Sequence, residues 1–76
     1  MKVKSRILKQ AVDAAGGQSA FARLVSEHLP NPITQAYVWN WLYRDDVIAA
    51  EYCNPIEKAT GGAVKASQLR PDLWGK

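Results

Sequence analysis

The sequence predicts an all-α domain built from four short helices and a tail. Three observations carry that expectation. Apolar residues recur three and four apart in successive segments, the period of a helix with one buried face. Gly16-Gly17, Pro30-Asn31-Pro32, Asp45-Asp46 and Gly61-Gly62 cut the chain into pieces of helical length. Only one run, an aromatic one, reads even partly as a strand, and a lone strand has no partner to pair with. The 76 residues have room for one compact domain, and an apolar content of 47% supplies one modest core.

The first helix is expected from about Ser5 to Ala15. Ile7, Leu8, Ala11, Val12 and Ala15 form its apolar stripe, and Lys9, Gln10 and Asp13 lie opposite. Gly16 can take the left-handed conformation that closes it. The second helix runs from about Gln18 to Glu27, with Phe21, Leu24 and Val25 on one side and small Ala20 and Ala22 where another helix can approach. His28-Leu29-Pro30-Asn31-Pro32 then breaks the chain, because two prolines in three residues forbid a continuous helix.

The third segment, Thr34 to Tyr43, is the ambiguous one. Tyr37, Trp39, Trp41 and Tyr43 alternate as they would in a strand. Thr34 stands as an N-cap, and a turn of about 100° per residue sorts the run into two faces. Val38, Trp41 and Leu42 share the inner face with Tyr37 at its margin; Gln35, Ala36, Trp39, Asn40 and Tyr43 fall outside. A fourth helix lies between Ala49 and Thr60, ended by Gly61-Gly62. Asn54-Pro55-Ile56-Glu57 reads as a fresh helix start within it, with Asn54 as cap, Pro55 in first position and Glu57 closing a capping box. Val64, Leu69, Leu73 and Trp74 in the tail are expected to close the core, and a Glu57–Arg70 ion pair to fix the tail on the fourth helix.

Composition excludes several classes. No run approaches the roughly 20 apolar residues of a membrane span, and no apolar run follows the basic start Met1-Lys2-Val3-Lys4-Ser5-Arg6, so neither a membrane protein nor a signal peptide is expected. The single cysteine, Cys53, suits a reducing cytoplasm and reads as a small buried residue. His28 reads as a surface residue. No paired carboxylates, no nucleophile with a base and no phosphate loop suggest an enzyme, a metal or a cofactor. Ten Lys and Arg against seven Asp and Glu give +3, which fits a nucleic-acid partner. Lys2, Lys4, Arg6 and Lys9 at the start are either a solubilising face or phosphate contacts.

Two short helices joined by a turn, the second with a polar outer face, can set that second helix in the DNA major groove. Gln35 and Asn40 can pair in bidentate fashion with adenine. Gln18 sits where helix N–H groups attract a phosphate. Ala36 is a thymine-methyl contact or simply a good helix former. Trp39 packs on the long loop against Leu29 or Pro30, or touches base methyls or sugar, or meets a protein. Arg44 holds a phosphate or is a surface cation beside Asp45 and Asp46, which are expected to face away from the groove. Lys58, Lys65 and Ser67 are weaker phosphate candidates.

Three blocks then resemble a known family. Gly16-Gly17-Gln18-Ser19-Ala20-Phe21-Ala22-Arg23-Leu24, Ile33-Thr34-Gln35-Ala36-Tyr37-Val38-Trp39-Asn40-Trp41, and Ala50-Glu51-Tyr52-Cys53 with Ile56-Glu57-Lys58-Ala59-Thr60-Gly61-Gly62 and Leu69-Arg70-Pro71-Asp72 resemble the YdaS-like branch of Cro/CI-type prophage helix-turn-helix proteins. The resemblance covers roughly Val12 to Trp74. It implies a four- or five-helix lambda-repressor-like domain, binding of double-stranded operator DNA, and a role in a lysogeny-type switch or a toxin–antitoxin-like locus.

Carried over, Gln18 matches the family's phosphate-contacting glutamine, and Gln35, Ala36, Trp39 and Asn40 match its base-reading positions. Ser19, Thr34, Tyr37 and Arg44 complete the expected phosphate contacts. The chain departs from the family in a longer turn, Ser26 to Pro32, in Trp39 at a position usually small or polar, and in Ala49 where proline is common.

The expectation is thus a cofactor-free transcriptional repressor, dimeric at least on DNA, in the bacterial cytoplasm at the nucleoid, with neither membrane nor small-molecule substrate. Leu73-Trp74-Gly75-Lys76 and Val47-Ile48 are its candidate dimer contacts. The rival reading is a protein-interaction module, or a toxin–antitoxin component, that presents Tyr37, Trp39 and Tyr43 to a partner protein.

Overall fold

The computed structural model describes residues 3–45 and 48–74. It is all-helical among those residues, with α1 (Val3–Ala15), α2 (Gln18–Ser26), α3 (Gln35–Tyr43), α4 (Ala50–Ala59), and two single turns in the tail, α5 (Ala66–Leu69) and α6 (Pro71–Trp74). Lys2, Asp46, Val47, Gly75 and Lys76, on which expectations were placed, lie outside the described residues.

Each break has a physical cause. At the end of α1 the Gly17 N–H donates to the Val12 carbonyl at 3.0 Å and the Gly16 N–H to Asp13 at 3.1 Å. The end of α4 repeats the pattern, with Gly62 N–H to Glu57 at 2.9 Å and Gly61 N–H to Lys58 at 3.2 Å. Both closures require a left-handed residue, and Gly16 (φ 102°) and Gly61 (φ 62°) supply it without a Cβ penalty.

The core gathers one stripe from each main helix. Leu8 and Val12 come from α1, Phe21, Ala22 and Val25 from α2, Val38, Trp41 and Leu42 from α3, and Cys53 and Ile56 from α4. Ile33 and Ile48 enter from loops, and Val64, Ala66 and Leu69 from the tail. The inner face of the aromatic segment is therefore Val38, Trp41 and Leu42, as the helical period requires. α2 packs on α1, α3 and α4, and this central place makes it the floor on which α3 rests.

The long connection between α2 and α3 is pinned. The Ser26 hydroxyl donates to the Ala22 carbonyl at 2.7 Å and accepts the Ile33 N–H at 2.9 Å. Ile33 then buries its side chain. Thr60 works alike after α4: its hydroxyl donates to the Glu57 carbonyl and accepts the Val64 N–H, each at 3.1 Å. In both places one hydroxyl turns a helix end toward the next buried residue.

Four sequence expectations change. Pro55 lies inside a continuous α4 and does not start a new helix. It cannot donate to the Glu51 carbonyl one turn back, but burial of Cys53 and Ile56 on the same helix, beside Ile48, outweighs one lost hydrogen bond. Glu57 pairs with no arginine: its Oε1 accepts the Ala66 N–H at 2.7 Å and so caps α5. Arg70 instead grips Asp72 through two bonds of 2.8 and 3.0 Å and donates to the Ile48 carbonyl at 3.0 Å. Leu73 and Trp74 are exposed rather than core, because the single turn α6 packs chiefly on the short α5 and not on the main helices. Ile48 is wholly buried, which removes it as a dimer contact.

The Arg70 guanidinium hydrogen-bonded to Asp72 holds that carboxyl below the ordinary aspartate value. A carboxyl more acidic when folded contributes stability above the ordinary range and loses it as pH falls through the folded value. An NMR titration of the Asp72 carboxyl should give a midpoint below that of a free aspartate, moving back up in Arg70→Ala; an unchanged midpoint in the variant contradicts the bridge. Ser26→Ala leaves the Ile33 N–H without its acceptor. It should lower unfolding free energy by about 1–3 kcal/mol in urea titration and speed amide exchange at Ile33.

Candidate nucleic-acid interface

α3 divides along its length. Trp41, on its inner side, lies 5.4 Å from the Tyr52 ring of α4, and Tyr52 meets Tyr37 edge-on at 6.1 Å. Three aromatic rings thus weld the margin of α3 to α4. Aromatic pairs in this geometry contribute about 0.5–1.5 kcal/mol beyond the area they bury. Burial raises the Tyr52 hydroxyl above its usual pKa, and the neighbouring Glu51 charge adds to the rise.

The outer side of α3 is exposed at Gln35, Ala36, Trp39 and Tyr43, while Asn40 is half-buried. The Asn40 backbone carbonyl accepts the N–H groups of Arg44 (2.9 Å) and Asp45 (2.7 Å), which ends the helix. Arg44 follows directly and is exposed. No residue of α3 carries a charge. Trp39 leans on Tyr43 with ring centroids 5.5 Å apart, so its ring neighbour is the next turn of its own helix.

The N-terminus of α2 meets the N-terminus of α3. The Gln35 side-chain amide donates to the Gln18 side-chain carbonyl, joining residues 17 positions apart. Gln18 is the first residue of α2, and Gly17 before it offers no side-chain cap. Ser19 beside it is exposed. Thr34 takes the N-cap position of α3 in extended conformation, and its hydroxyl makes no capping bond. Two helix N-termini, both without side-chain caps, therefore lie on either side of a bridged pair of carboxamides.

Of the residues singled out in the sequence, Gln18 and Gln35 are directly bonded. Ala36, Trp39 and Asn40 share the outer face with Gln35, and Thr34 and Arg44 bracket the helix. Tyr37 lies at the margin, exposed but braced. Lys58, Lys65 and Ser67 belong to α4 and the tail, not to α3. His28 is exposed on the loop, and Cys53 is fully buried, its thiol pushed up by that burial. Sequence reasoning missed Tyr52. Its spacing of four from Ile56 places it toward the inner face of α4, and that was the available signal.

No helix among the described residues is long and apolar enough to cross a membrane. The family described as "bacterial toxin YdaS" matches residues 8–76. A protein of Escherichia coli (strain K12), named "Putative transcriptional regulator YdaS", is 40% identical over 73 residues, which cover 96% of this chain and 68% of that protein. No solved structure matches the chain.

Tyr52→Ala removes both ring contacts and should cost about 2–4 kcal/mol in thermal or urea unfolding. Tyr52→Phe keeps the rings and should cost under about 1 kcal/mol. Equal losses in the two variants would move the stabilisation from the rings to the hydroxyl.

Proposed function

The chain belongs to the YdaS family, and from that premise we propose that it is a transcriptional regulator that binds double-stranded DNA with α3 in the major groove. The observation that carries the reading is the hydrogen bond between Gln18 and Gln35. It joins a residue at the N-terminus of one helix, where a phosphate is stabilised by free N–H groups, to a residue at the base-reading end of the next.

In this reading the Gln18 amide N–H groups and the backbone of Ser19 take a phosphate, while Gln18 steadies Gln35 with its carbonyl. Gln35 and Asn40 pair with adenine edges. Ala36 and Trp39 give apolar contact beside them. Thr34, the Tyr37 hydroxyl and Arg44 take phosphates around the rim. Phosphate contacts set register and base contacts set sequence, so these groups divide the two tasks. A module this small touches few base pairs, and pairing two copies on a two-fold operator doubles them. Leu73 and Trp74, exposed on α6, remain the apolar candidates for that pairing. Regulation would follow from occupying sites that polymerase needs, with no cofactor.

One observation favours a second reading. The matched family is described as a toxin, and Tyr37, Trp39 and Tyr43 are each more than 40% exposed. A protein partner engaging those rings would bind with little salt dependence, whereas duplex binding weakens steeply as salt rises.

The test is selection from a randomised duplex library at near-physiological salt. An enriched two-fold symmetric motif is the expected result; no retention of any duplex overturns the proposal in favour of the protein partner. On the selected site, Asn40→Ala and Gln35→Ala should each weaken binding about 5- to 150-fold and relax preference at one base pair. Arg44→Ala should weaken all sequences alike and flatten the salt dependence by about one phosphate.

A further inference from the structure

The outer face of α3 holds more apolar surface than two carboxamides need for reading adenine. Trp39 is 45% and Tyr43 50% exposed, and their rings rest on one another at a tilt of 52°. Being four residues apart, they form one ridge along the helix. Single exposed apolar residues are ordinary on any surface, but two large rings in contact on one helix face make a patch that calls for an occupant.

The neighbours of the ridge define that occupant. Gln35 and Ala36 lie one turn before Trp39, and Asn40 lies beside it. A purely apolar partner covering the rings would also cover the Asn40 carboxamide and the Gln35 groups that Gln18 does not engage, and leave them unpaired, which is costly. The major-groove edge of an A·T pair offers both surfaces together: the adenine N6 and N7 pattern for a carboxamide, and the thymine C5-methyl for an apolar ring. Charge permits it: α3 carries no ionised side chain, Arg44 and Asp45 follow it, both exposed, and the chain is net +3. Four helical residues rise about 6 Å, close to two base-pair steps of about 3.4 Å each.

We propose that the Trp39–Tyr43 ridge reads thymine C5-methyl groups in the major groove, Trp39 about two and Tyr43 about three to four base pairs from the adenine taken by Gln35. The inference rests on the duplex-binding reading above. The ring contact holds both side chains in place before binding, so little side-chain freedom is lost on binding. Tyr43 acts here through its ring, not its hydroxyl.

Deoxyuridine substitution isolates the effect, because it removes one methyl and keeps base pairing. Each thymine of the selected half-site is replaced in turn, and affinity is measured for the unaltered protein, Trp39→Ala and Tyr43→Ala. One or two positions should lose about three- to fivefold with the unaltered protein, the magnitude expected for one buried methyl. Those losses should vanish in Trp39→Ala and shrink in Tyr43→Ala. Tyr43→Phe should behave as the unaltered protein. If the unaltered protein binds its site yet tolerates uracil everywhere, or if Trp39→Ala loses as much as the unaltered protein at the same positions, the ridge proposal falls while duplex binding stands. Absence of any specific duplex binding by the unaltered protein overturns both. Exposure of Trp39 makes its loss tolerable to the fold, and circular dichroism of each variant checks that the helices persist.

Discussion

Everything on the outer face of α3 depends on how its inner face is packed. A nine-residue helix with four aromatic rings has no obvious inside, and a rotation of one residue would bury the wrong rings. Burial of Val38, Trp41 and Leu42 fixes the rotation. Those three side chains commit the helix to one orientation because close-packed interiors do not accept intermediate ones. Tyr52 then clamps the margin from α4 through Trp41 and Tyr37. The positions of Gln35, Ala36, Trp39 and Asn40 are consequences of that packing.

The same economy recurs in the connections. Helix ends leave unpaired backbone groups that must be satisfied locally or by water. Here Ser26 and Thr60 serve two groups each, one on the helix just ended and one on the residue about to enter the core. Glu57 extends the device across a longer distance by capping α5. These bonds make the tail part of the fold up to Leu69. Arg70 carries the link one step further by tying α6 to the loop at Ile48.

The helical period was enough to place α1, α2 and α3 to within two residues, and to sort α3 into its two sides. Those features depend on local chemistry: spacing of apolar residues, glycine pairs and a proline break. The sequence was less informative wherever partners come from tertiary proximity. Glu57 and Arg70 looked like a pair by charge, but Glu57 took a backbone N–H and Arg70 took the Asp72 carboxylate and a backbone carbonyl, since spacing along the chain says little about which of several partners will be adjacent. Pro55 looked like a helix start because proline is pre-organised for that position; the packing of neighbours on α4 overrode the local preference. Ile48 shows the converse. Set in a polar loop it reads as exposed, yet it is a core residue supplied by the connection. Of the outer-face residues, Gln18 and Gln35 were each recognisable alone, but their bond required the angle between α2 and α3.

That bond has an evolutionary consequence. Residues 18 and 35 share one donor–acceptor pair on the surface, so a change of chemistry at either returns the other to water and releases its orientation. Substitutions there are epistatic: a new side chain at 35 meets a different background according to what stands at 18. Asn40 and Trp39 make no such commitment to α2 and are free to drift one at a time. Diversification of the outer surface should therefore proceed quickly in the second half of α3 and by coordinated double steps at its beginning.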